Sequence, residues 1–126
     1  MTLQYNNKIN SDAKRKVAVI TGSSKGIGKA IAFAFAKSLE YSAIVINSRK
    51  LDEAEQVAEQ IKKGTSCESV AVRGDVSHEN DCIRLIKETV DKFQRVDVLI
   101  NNAAIQKDIP CTSDNSEATL YSICNI

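Results

Sequence analysis

The sequence predicts an α/β fold, a doubly wound parallel sheet of about four strands in the order 3-2-1-4. Three observations carry this. Short, almost wholly apolar runs alternate with longer stretches whose apolar residues recur at helical spacing. The strand runs lack the in–out alternation of a half-solvated sheet, so helices must cover both faces, as in parallel sheets. Right-handed crossovers then leave few topologies for a β-α-β-α-β-α-β chain, and 3-2-1-4 is the natural one.

Taken in order, Val17-Ala18-Val19-Ile20 is the first strand. From Ile27 the period changes, and Ile31, Phe35 and Leu39 follow at four-residue steps on one helix face. Ala43-Ile44-Val45-Ile46 is the second strand. Leu51, Ala54, Val57, Ala58 and Ile61 form the next helical stripe, which Lys62, Lys63 and Gly64 end. Cations suit a last turn, and glycine accepts the left-handed conformation beyond it. Val70-Ala71-Val72 is the third strand. Ser77 offers an N-cap to a third helix with a Cys82, Ile86, Val90, Phe93 face, and Val96 to Ile100 is the fourth strand.

The expected organisation is a polar tail over 1–14, one half-domain over 15–105, and a degenerate tail over 106–126. The last segment holds Pro110 and the polar run from Thr112 to Glu117, and only a short amphipathic helix near Glu117–Cys124 is readable there. A chain of 126 residues suits one domain. The net charge is +1 and the only basic run is Lys14-Arg15-Lys16, so a nucleic-acid partner is not expected. No apolar run approaches the roughly 20 residues of a membrane helix, and the N-terminus lacks the apolar stretch of a signal peptide. A cytoplasmic protein is therefore expected. Cys67, Cys82, Cys111 and Cys124 form no C-x-x-C pair and His78 is the only histidine, so a metal site is not expected.

Thr21-Gly22-Ser23-Ser24-Lys25-Gly26-Ile27-Gly28 lies between the first strand and the first helix, where a dinucleotide-binding turn belongs. A helix N-terminus carries free N–H groups and about half a positive charge, which attract a pyrophosphate. Glycines let the phosphate or the helix approach the strand where a Cβ would block it, and Ser24 adds a hydroxyl donor. The phosphate loop of nucleotide hydrolases ends in Gly-Lys-Ser or Gly-Lys-Thr; this turn ends in Gly26-Ile27-Gly28, which excludes it. The fold class is thus Rossmann-type.

Thr21-Gly22-x-x-x-Gly26-x-Gly28, Gly74-Asp75-Val76 and Asn101-Asn102-Ala103-Ala104 together closely resemble the short-chain dehydrogenase/reductase family over about residues 15 to 109. The family has Gly more often at the position of Ala104. The resemblance implies an NAD(P)-dependent oxidoreductase of carbonyls and alcohols. It also implies cofactor contacts at Gly22, Ser24, Lys25, Gly26, Ile27 and Gly28, at Asp75 and Val76 beside the adenine, and at Asn101, Asn102 and Ala103 beside the nicotinamide ribose. Asp75 has a plainer alternative as a cap for the third helix.

The cofactor preference follows from the end of the second strand. An acidic residue about 20 positions past the glycines usually holds the ribose 2′-hydroxyl of NAD. Here the segment reads Asn47-Ser48-Arg49-Lys50, without a carboxylate. Arg49, beside Ser48, offers a planar fork for a 2′-phosphate, and family members that resemble this one use a basic residue at the place of Lys25 in the same way. NADP is expected over NAD. The proton donor of the family is Tyr-x-x-x-Lys, in which lysine lowers the tyrosine pKa toward working pH. Tyr121 is followed four residues later by Asn125 and lies too close to the fourth strand, so it is not that tyrosine. Asn125 is a weak candidate for the family's catalytic asparagine. The chain is therefore expected to be the cofactor half of such an enzyme, inactive by itself. A small carbonyl or alcohol would be the substrate of a longer form, in which oligomers are common. The alternative is a non-catalytic nucleotide-binding or partner-binding module on the same fold.

Overall fold

Apolar residues through the strand centres dictate a sheet with two covered faces, and this is the observed architecture. The computed structural model describes residues 15–103. In chain order these form β1 (Lys16–Ile20), α1 (Gly26–Lys37), β2 (Tyr41–Ser48), α2 (Leu51–Gly64), β3 (Glu68–Arg73), α3 (Glu79–Phe93) and β4 (Val98–Ile100). The sheet order is β3-β2-β1-β4 and every pairing is parallel. β1 lies at the centre, with Ile20 opposite Ile46 on one side and Ile100 on the other.

Alternate strand residues serve opposite layers. Ala18, Ile20, Ile44 and Ile46 pack under α1 and α2, against Ala32, Ala36, Ala54, Val57, Ala58 and Ile61. Val19, Val45 and Val72 face the other way, onto Leu85 of α3. Burying an aliphatic side chain of this size contributes about 1.5–3 kcal/mol, so β1 and β2 dominate the core. Burial also pushes the Cys67 thiol up to about 11, where it behaves as a small neutral hydrophobe.

Several local expectations are corrected. On α1 the buried face is Gly28, Ala32 and Ala36, because only small side chains let a helix lie this close to the sheet. Ile31 and Phe35 flank that face, Ile27 is 74% exposed, and Leu39 falls beyond the helix end. Gly64 is the last residue of α2 and does not take a positive φ; the Thr65 N–H and hydroxyl both donate to Ile61 O instead. The left-handed helix end belongs to Gln94, after α3. The buried residues of α3 are Cys82, Leu85 and Thr89; of the expected face, Cys82 is buried and Phe93 packs against the core, whereas Val90 is exposed and Leu85 and Thr89 replace Ile86. Thr89 tolerates burial because its hydroxyl donates to Leu85 O at 2.8 Å. His78, not Ser77, is the N-cap of α3 and gives no side-chain cap. β4 begins at Val98, since the Asp97 carboxylate accepts the Val17 N–H at 2.8 Å and its own N–H donates to Val17 O. Among the described residues no helix is long and apolar enough to cross a membrane. The expected tails, Ala104, Tyr121 and Asn125 lie outside the described residues.

Candidate functional site

The carboxyl ends of parallel strands share one edge of the sheet, where open α/β folds bind ligands. The chain leaves β1 through Thr21, whose buried hydroxyl accepts the N–H groups of Asn102 (3.1 Å) and Ala103 (3.0 Å). In return, the Asn102 side-chain amide donates to Thr21 O and Gly22 O at 3.2 and 3.1 Å. This stitches the glycine turn to the end of β4. Gly22 and Gly26 hold φ of +61° and +62°, a region that costs other residues about 1–2 kcal/mol. Gly28 is glycine for a different reason: a Cβ there would collide with Gly22 O and the Asn102 amide.

α1 begins after Lys25, which is extended and provides no side-chain cap, and its first turn holds no acidic residue. In contrast, α2 carries Asp52 and Glu53 and α3 carries Glu79 and Asp81 in their first turns. Those acids answer the positive end of their own helices. The head of α1 has no such anion of its own, which leaves its amides for an external one.

Beside it lies a cleft of about 870 Å³, lined by Gly22, Ser24, Lys25, Asn47, Ser48, Arg49, Lys50, Glu53, Gly74, Asp75, Val76, Asn102 and Ala103. On the β2 side, Ser24 Oγ donates to Ser48 Oγ at 3.2 Å, and Ser48 Oγ also accepts the Lys50 N–H at 3.1 Å. Arg49 and Lys50 are exposed, and Lys50 Nζ stands 3.9 Å from a Glu53 carboxylate oxygen. On the β3 side, Asp75 accepts the Ser77 hydroxyl (2.6 Å) and N–H (2.9 Å). These bonds, with smaller help from the nearby His78 and Arg49 charges, hold its carboxyl below the usual range. Asp75 therefore forms a local turn ahead of α3 rather than capping the helix. Val76 is buried against Cys82 and Ala103 and floors this end.

Of the residues singled out from sequence, the structure brings Gly22, Ser24, Lys25, Ser48, Arg49, Asp75, Val76, Asn102 and Ala103 to the cleft wall. Gly26, Ile27 and Gly28 form the head of α1, with the Ile27 side chain in solvent, and Asn101 is exposed; none of the four lines the cleft. Asn47, Lys50 and Gly74 were quoted within motifs but given no contact, and Glu53 was not singled out. Asn47 was findable: it is a polar residue ending an apolar strand run, and such a residue is buried only with partners. A dinucleotide fits what is present, because the cleft lies beside an acid-free helix head and is edged by the cations Lys25, Arg49 and Lys50. A second, smaller groove of about 400 Å³ lies on α3 between Ile83, Ile86, Lys87, Val90 and Asp91.

Comparison with known proteins agrees with this geometry. The family model described as short chain dehydrogenase matches residues 16–126. The chain is 43% identical over 90 residues to 11-beta-hydroxysteroid dehydrogenase-like 4A of Arabidopsis thaliana, covering 71% of this chain and 29% of that protein. It is 40% identical over 94 residues to the uncharacterized oxidoreductase YhdF of Bacillus subtilis (strain 168), covering 74% of this chain and 32% of that protein. It thus spans less than a third of these curated relatives' length. Among solved structures, L-sorbose reductase from Gluconobacter frateurii, complexed with NADPH and L-sorbose, superposes with a TM-score of 0.73 at 31% identity, over 87% of this chain and 42% of that one. An alcohol dehydrogenase from Thermococcus sibiricus, complexed with 5-hydroxy-NADP, gives 0.70 at 30% identity, over 84% and 46%. With the family model matching nearly the whole chain and the fold superposing on these enzymes, the protein belongs to the short chain dehydrogenase family.

Proposed function

We propose that this chain supplies the NADP(H)-binding part of a short-chain oxidoreductase that interconverts a small carbonyl compound and an alcohol, in the cytoplasm. The observation that carries the reading is the uncapped, acid-free head of α1 beside a cleft edged by Lys25, Arg49 and Lys50. The amides of Gly26, Ile27 and Gly28, with the Ser24 hydroxyl, hold the pyrophosphate by charge-assisted hydrogen bonds. Ser48 and Arg49, assisted by Lys25, hold the 2′-phosphate; Arg49 presents two parallel N–H groups that match it. Asp75 and Val76 receive the adenine, and Asn101, Asn102 and Ala103 support the nicotinamide ribose. When bound, the cofactor supplies or accepts the hydride. The residues of this chain bind and orient it, and they exclude water from its phosphates.

Two known relatives support the choice of NADP over NAD, since the structures of L-sorbose reductase and of the Thermococcus enzyme hold NADP-type ligands. A charge-assisted contact from Arg49 to the 2′-phosphate contributes about 1.5–3 kcal/mol, or roughly tenfold to a hundredfold in preference. Replacing Arg49 with Asp should therefore invert the ratio of NADP to NAD affinities, measured by calorimetric or fluorescence titration. An unchanged ratio refutes the NADP assignment. A folded sample that responds to neither dinucleotide refutes the cofactor assignment altogether.

A further inference from the structure

Within the cleft, the Asn47 side chain reaches from the end of β2 to the ends of two other strands, β1 and β3. It occupies the penultimate position of β2 and is 1% exposed. Its Nδ2 donates to Val72 O (3.1 Å) and Gly74 O (3.2 Å), where β3 gives way to the Asp75 loop. Its Oδ1 accepts the Gly22 N–H at 3.2 Å, at the first glycine of the turn after β1. The partners fix which end of the amide is oxygen, since two carbonyls must be met by the NH2 group and an N–H by the carbonyl. Its backbone is held as firmly. The Asn47 N–H donates to Ser23 Oγ (3.0 Å), and Asn47 O accepts the Ser23 N–H (2.9 Å).

This arrangement lies where regular pairing stops. The β1–β2 ladder ends at Ile20 and Ile46, and Gly22 then turns to φ +61°. Beyond that point no strand ladder holds the Thr21–Gly22 peptide; two side chains do, Asn47 Oδ1 accepting its N–H and the Asn102 amide donating to its carbonyl. Gly22, Asn47 and Gly74 all line the cleft, so one amide joins the wall that carries the glycine turn to the wall that carries Asp75.

We infer that Asn47 is a positioning residue for the dinucleotide: its side-chain amide sets the glycine turn at a fixed distance from the Gly74–Val76 wall, so that one ligand can engage both. The inference rests on the cofactor reading above. It concerns ligands that span both walls. A nucleotide confined to the Ser48, Arg49 and Asp75 side does not need the two walls in register. Adenosine 2′-monophosphate is such a ligand, whereas NADP bridges them through its pyrophosphate.

The test compares these two ligands in the full chain and in Asn47→Ala, titrated well below the melting midpoint of each protein. The expected result is that the NADP Kd rises at least about tenfold in Asn47→Ala while that of adenosine 2′-monophosphate changes by less than about threefold. A residue that only stabilised the fold would lower the midpoint and leave both constants alone, and that outcome overturns the inference. Equal weakening of both ligands overturns it too. Should circular dichroism show Asn47→Ala unfolded, Asn47→Ser is used, because its hydroxyl can retain one of the partners; the same selective loss, smaller in size, is expected, and an unchanged ratio overturns the proposal. A wild-type chain that binds adenosine 2′-monophosphate but not NADP refutes the cofactor reading instead.

Discussion

Gly26 and Gly28 stand two positions apart and are glycine for unrelated reasons, which mutation can separate. At Gly26 an added Cβ meets nothing within 4 Å, so Gly26→Ala pays only for its left-handed backbone, about 1–2 kcal/mol. At Gly28 the backbone is helical, but the Cβ has no room between Gly22 O and Asn102. Gly28→Ala should cost about 1–3 kcal/mol as overpacking, and it should also weaken dinucleotide binding by displacing the turn. Denaturant unfolding with and without NADP measures both. Charge acts at this scale as well. Glu53 faces the same cleft as Arg49, so Glu53→Gln should tighten NADP binding by about twofold to fivefold and leave NAD unchanged. Asp75 has a depressed folded pKa, so its contribution is fully present above about pH 4 and is lost only as pH falls further, through the folded value. It stays ionised across the neutral range. The 2′-phosphate, by contrast, passes from dianion to monoanion near pH 6, as phosphate monoesters do. NADP affinity should therefore fall between pH 7 and pH 5 while NAD affinity stays level; parallel curves for the two would contradict the Arg49 assignment.

At the scale of the element, strands were more legible than helix faces. A strand buried on both sides needs only an apolar run, so β1 and β2 could be read directly from Val17–Ile20 and Ala43–Ile46. A helix face needs the right phase, and large residues mislead when small ones do the packing. On α1 the eye follows Ile31, Phe35 and Leu39, but close approach to the sheet selects Gly28, Ala32 and Ala36. Ala32→Leu should thus destabilise the fold by about 1–3 kcal/mol, and Leu39→Ser should stay within about 0.5 kcal/mol, by chemical denaturation. The ends of elements were hidden because side chains decide them. Asp97 stops β4 short by taking the Val17 N–H into its carboxylate, itself gripped by the Arg95 guanidinium at 2.7 Å. In the site, motif residues were visible because their spacing is fixed by the turn. Asn47 showed only as a polar residue at the end of an apolar run; its bridging role, and the place of Glu53 in the cleft, come from elements brought together in space.

At the scale of the molecule, the described fold exposes apolar surface on the α3 side. Ile83 is 57% and Val90 41% exposed, and Val98, Leu99 and Ile100 of β4 are only half-buried at the sheet edge. Exposed patches and open edges of this kind promote association. Light scattering of the 126-residue polypeptide should show mass growing with concentration. Ile83→Lys with Val90→Glu should reduce that growth without lowering the melting midpoint, and no change in self-association would show that this face is not its cause.

The central place of β1 has one more implication. The cleft borrows its walls from the ends of β1, β2 and β3 and from the segment that follows β4, so no single hairpin-sized piece of the chain contains it. Saturating such a crevice is equivalent to cross-bracing the strands. At a hundred times Kd the brace is worth about 2.7 kcal/mol to the native state, and none of it is available to a partly assembled sheet. A bound nucleotide would therefore act as a cofactor and also as the final keystone of the fold.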